Sequence, residues 1–124
     1  MDNPTNNSVL LHPDGYIEVL VRGDQSYLSF DRIKSDLERI TDKLRFESKP
    51  LLGLVGLTAM SGFNTGSNRA ALEILETVPY QKVALFGGSG AVSAVAGLVI
   101  QAIGKSDRTR IFKDKATALE WLMA

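Results

Sequence analysis

Between Val83 and Gly104 the chain reads VALFGGSGAVSAVAGLVIQAIG, without a single charge. A run this apolar must be hidden from water, and only three arrangements would hide it. It could span a membrane, form a dinucleotide-binding loop feeding a buried helix, or be a strand and a helix of one core. The run is long enough to cross a bilayer. However, Gly87, Gly88 and Gly90, with Ser89 among them, cut it into a strand-length piece and a helix-length piece. The stretch from Gly88 to Ser93 approximates G-x-G-x-x-G, but Ser93 replaces the third glycine. It also lies too late in the chain for a second mononucleotide-binding half to follow, and no G-x-x-x-x-G-K-[ST] loop is present. The third arrangement is therefore expected. Gly87 and Gly88 turn the chain out of a buried strand. Ala91, Ala94, Ala96 and Gly97 then let the helix pack closely on its neighbours. A helix apolar on nearly every side, from Gly90 to Ile103 and closed by Gly104, needs cover from the sheet and its neighbours or from a second subunit. A homodimer is one expected solution.

The rest of the chain supplies the sheet. Val9–Leu11 and Tyr16–Val21 read as strands around the turn HPDG. The tripeptide RGD at Arg22–Asp24 reads as a chance turn. Phe30, Ile33, Leu37, Ile40 and Leu44 recur at helical spacing, with Ser29 as the expected cap. Leu51–Leu57 is a continuous apolar run, as in a strand buried on both faces. TAMSGFNTG reads as a loop, and SNRAALEILETV as a helix with Ala71, Ile74, Leu75 and Val78 inward. KVALFGG and RTRIF read as strands. The final helix is capped by Asp114, with Leu119 and Leu122 inward. The order ββαβαβαβα predicts an α/β domain with a mixed sheet of about five strands and helices packed on it. Residues 9–124 are expected to form one domain, and residues 1–8 a disordered or extended tail.

Composition removes several function classes. The 14 basic and 14 acidic residues cancel, so there is no electrostatic footprint for nucleic acid. With no cysteine and a single histidine, His12, thiolate chemistry and histidine-rich metal sites are excluded, and no metal or cofactor is expected. The polar N-terminus does not resemble a secretory signal, and a cytoplasmic location is expected. No catalytic set can be named: Glu73 and Glu76 read as solvated helix-flank residues, Asp114 as a cap and His12 as a turn residue. The chain is therefore expected not to be an enzyme. The polar stretch MSGFNTGSNR follows a buried strand, where open α/β sheets place their ligands. Ser61, Asn64, Thr65, Ser67, Asn68 and Arg69 form the candidate binding loop, and Ser89 joins them if the strands are parallel. The competing reading makes Ser67 a helix cap and Arg69 a surface charge.

With its element order, the stretch VPYQKVALFGG, the apolar helix and the ending RTRIFKDKATALEWL, the chain resembles the STAS fold of bacterial anti-sigma factor antagonists. The likeness is greatest to the SpoIIAA-like group and runs over about Val9–Leu122. In the antagonist branch a serine at the start of the second helix, in the pattern Asp-Ser-Ser-Gly, is phosphorylated by a partner kinase. The resemblance puts Phe63 at the preceding aromatic, Thr65 at the aspartate, Gly66 at the first serine, Ser67 at the phospho-acceptor and Asn68 at the glycine. It implies a regulatory, protein-binding module with an anti-sigma-like or kinase-like partner. The same relatives are similar to CRAL-TRIO lipid-transfer domains. That similarity implies an alternative: a carrier whose apolar pocket, lined by the 90–103 helix and the 51–57 strand, holds a lipid-like ligand.

Overall fold

Asp14 and Gly15 reverse the chain, with Gly15 at φ +101°, a conformation that a side chain would disfavour. The reversal brings β1 (Ser8–Leu11) against β2 (Ile17–Asp24) in antiparallel register. In this computed structural model, residues 7–104 and 107–124 are described. The tail expected over residues 1–8 therefore falls mostly outside the described residues. Ser8 starts β1, and the Asn7 side chain accepts from the Arg22 backbone N–H at 2.8 Å and donates to Gln25 Oε1 at 2.8 Å.

Helix α1 (Tyr27–Phe46) buries Phe30, Ile33, Leu37 and Leu44, the stripe expected from their spacing. Its cap is Ser26 rather than Ser29. Ser29 sits three residues inside the helix, where its hydroxyl accepts from the Ser26 N–H at 2.9 Å. Strand β3 runs from Leu52 to Gly62, beyond the expected end at Leu57. The extra residues pair with the end of β2, Arg22 opposite Ala59 and Asp24 opposite Gly62, with register irregularities between. Arg22–Asp24 is thus strand with a bulge, Gly23 at φ +77°, and not a turn. The remaining elements are α2 (Thr65–Thr77), β4 (Lys82–Phe86), α3 (Gly90–Ile103), β5 (Thr109–Phe112) and α4 (Lys115–Met123). Asp114 caps α4 as expected, and Gly104, at φ +68°, closes α3.

The five strands lie side by side in chain order, with β2 to β5 mutually parallel and β1 antiparallel at the edge. Alternation along the strands divides the core in two. Ile17, Val19, Val21, Leu57, Val83 and Leu85 meet α1, α2 and α3 on one face. Leu54 and Ala84 meet Ala118 and Leu122 of α4 on the other. Helix α2 packs on α1 and α3, while α4 lies directly on β3, β4 and β5.

Candidate functional site

Because β3 and β4 are parallel, the segments that follow them emerge at the same sheet edge. The residues expected to bind there have divided roles. Asn64 caps α2: its side chain accepts from the Ser67 N–H at 2.8 Å, and the Ser67 hydroxyl accepts from the Asn64 N–H at 2.9 Å. Ser67 Oγ also donates to the Asn64 carbonyl at 2.9 Å. Ser67 is therefore the inner half of a capping box, not the cap, and it is fully buried at 0% exposure. Both hydrogen-bonding roles of its hydroxyl are filled, so a kinase reaches that oxygen only if the first turn of α2 opens. Ser89 caps α3 by accepting from Val92 N–H at 3.3 Å. Ser61 lies in β3 and donates to Asp24 Oδ1 at 2.9 Å. Thr65 and Arg69 are exposed, and Asn68 is half-buried.

Sequence reasoning missed Tyr27. Its phenol donates to Glu73 Oε1 at 3.0 Å, and Glu73 is half-buried rather than a solvated flank residue. The Glu73 hydrogen bond, followed by its charge, holds the phenol above its ordinary pKa. Gly66 lies against the same residue. A Cβ added there would stand 3.3 Å from Tyr27 Cβ, so α2 begins in close contact with the start of α1. No local signal joins residues so far apart in sequence.

Under α2 lies an apolar cavity of about 120 Å³, partly open to solvent. Val19 and Val21 of β2, Val55 and Leu57 of β3, and Val83 and Leu85 of β4 form its floor. Phe30, Ile33 and Leu37 of α1 close one side, and Val92, Val95, Ala96, Val99 and Ile100 of α3 the other. Ala71, Ile74 and Leu75 of α2 form the roof, and Met60, Phe63 and Asn68 stand at the sheet edge. A second void of about 50 Å³ shares Val19, Leu37, Val55 and Val83 with the first and reaches Gly53 and Tyr80. An apolar cavity of about 150 Å³ can stay dry and admit benzene, so this space is of ligand size. Among the described residues no cluster of carboxylates and histidine could hold a metal, and no helix is long and apolar enough to cross a membrane.

An uncharacterised protein of the DUF3478 family from Shewanella loihica PV-4, solved with a SpoIIAA-like fold, superposes with a TM-score of 0.66. The match covers 94% of this chain and 91% of that one. This chain has a SpoIIAA-like fold. At 17% identity the likeness is one of architecture, and it agrees with the α/β order and mixed five-stranded sheet expected from the sequence. No protein-family model and no curated protein matches the sequence.

Proposed function

We propose that this SpoIIAA-like domain is a non-enzymatic binding protein that carries a small apolar ligand between its sheet and the α1–α3 layer. The observation that carries this reading is the cavity, walled by apolar side chains from three strands and three helices, with Asn68 as the one polar residue on its wall among the described residues. Sites for small molecules are concave and mostly apolar, with few polar groups. Sequence features alone rank a regulatory, partner-binding role above a carrier. The cavity supports the carrier, and the enclosure of the Ser67 hydroxyl weighs against a phosphorylation switch. Native mass spectrometry of protein purified from its own host is expected to show extra mass that denaturation removes. Ala96→Leu, which fills the cavity, is expected to abolish that mass while the domain stays folded. Protein that arrives bare and gives no NMR shifts with benzene would overturn the reading.

A second reading keeps the sheet edge as a docking surface for a protein partner, supported by the exposure of Asn64, Thr65, Arg69 and Ser89. Its test is capture of a partner that charge reversal at Arg69 releases. A homodimer would use the outer side of α3, where Leu98 is 66% exposed and Ala91 and Ala94 also face outward. Either role suits a cytoplasmic protein.

A further inference from the structure

Resting on the carrier reading, we infer that the ligand has an apolar body and one uncharged hydrogen-bonding head, and that Asn68 selects that head. Among the described residues Asn68 is the only polar one on a wall otherwise made of aliphatic and aromatic side chains and Met60. It lies in the second half of the first turn of α2, at the sheet edge, with Phe63 and Met60 nearby in the chain and on the same wall. Its backbone N–H is used by the Asn64 carbonyl at 3.0 Å, but its side-chain amide has no hydrogen-bond partner among the described residues. A primary amide offers two donors and a carbonyl acceptor. Half-buried at the partly open edge of the cavity, the amide still reaches solvent, and a ligand hydroxyl or carbonyl entering the cavity would take the place of that water. The body of the ligand then extends towards Leu37, Val83 and Ile100.

The charge of the head follows from what the wall lacks. Among the described residues no lysine, arginine or histidine lines the cavity. The neighbouring cation, Arg69, is exposed and is not among the residues that line the cavity. A carboxylate brought to Asn68 would lose hydration without a counter-charge, whereas an alcohol, ketone or amide would not. The size of the cavity points to one ring or a short branched chain.

The test uses benzyl alcohol and ethylbenzene, which have the same number of heavy atoms and differ in the head. Affinities for the full chain and for Asn68→Leu are measured by NMR titration of the wall methyl groups. The ratio of alcohol to hydrocarbon affinity is expected to fall about tenfold in the variant, the scale of one net hydrogen bond. Asn68→Asp retains an acceptor and loses the donors. It is expected to keep benzyl alcohol and to lose acetophenone, which can only accept. If both probes bind and the ratio is unchanged in Asn68→Leu, Asn68 selects nothing and the inference fails while the carrier reading stands. If benzoate binds the wild-type chain more tightly than benzyl alcohol, the uncharged head is wrong. If neither probe binds, the carrier reading itself fails.

Discussion

The two faces of the sheet are built from similar residues and packed differently. On the α4 face, Leu54, Ala84 and Ala118 are all at 0% exposure and Leu122 at 1%. There a single short helix brings an alanine against the strands and sits directly on them. On the opposite face three longer helices supply far more apolar surface, yet Val55, Ile74 and Leu75 border an unfilled cavity. The difference lies in how the roof is supported. Helix α2 leans on α1 and α3 and does not close onto the strands as α4 does. Hydrophobic content therefore does not measure packing. A layer held by its own neighbours can span a gap that a lone helix would collapse to fill.

The sharpest way to break this contrast is to truncate one large residue on each face. Leu122→Ala is expected to cost about 3–4 kcal/mol in urea unfolding, because the close-packed α4 face leaves a new void. Ile74→Ala removes a similar volume from the roof of an existing void. It already lacks part of its packing, so a cost of about 1–2 kcal/mol is expected. Equal costs would mean that the three-helix face is closed and filled in solution.

A smaller effect compares two glycines of one strand. Gly56 lies on the α4 face, where an added Cβ would stand 2.9 Å from Leu20 Cδ2 and 2.9 Å from Phe86 Cζ. Gly56→Ala is expected to destabilise by about 1–2 kcal/mol through overpacking. Gly53 lies on the cavity face, where the nearest atom to such a Cβ is Val83 Cγ2 at 3.5 Å, an ordinary contact. Gly53→Ala is expected to stabilise by about 0.5–1 kcal/mol, since it fills space and restricts the unfolded chain. Thermal melts of the two variants should move in opposite directions. Movement in the same direction would remove the distinction at β3, the strand both faces share.

Much of this architecture is legible in the sequence because local and global signals agree. The apolar run with its glycines fixes β4, α3 and the stop at Gly104, and Asp114 announces α4. The same reasoning misplaces two caps by three residues each, at Ser29 and Ser67. The pattern in both helices is a capping box with serine in the inner position, where glutamate or glutamine is the usual signal. The extension of β3 to Gly62 is not visible locally, because weak strand formers there are held by pairing with a bulged β2. Asn68 falls inside the polar stretch that composition selects, but polarity cannot say that it borders a cavity while Arg69 faces solvent. The cavity has no sequence signature, because a periodic pattern identifies which side chains turn inward and not how completely they meet.

The smallest expected effect concerns the contact that ties the roof to α1. The Tyr27 phenol is held above its ordinary value of about 10 because its neutral form donates to Glu73 and its ionised form would face that carboxylate. A group whose folded pKa is raised contributes stability below the unfolded value and loses it as pH rises through the folded one. Subtracting the tyrosinate absorbance titration of Tyr27→Phe from that of the wild type should isolate a transition above 10. Glu73→Gln should move that transition back towards the ordinary value, since the charge is removed. Through the same alkaline window, the methyl signals of Ile74 and Leu75 on the roof should shift before those of Leu54 and Leu122. The Tyr27–Glu73 contact joins α2 to α1, and nothing in it touches the α4 face. If the methyl signals of both faces shift together, the roof is not a separately supported layer, and the cavity beneath it belongs to a core that opens and closes as one.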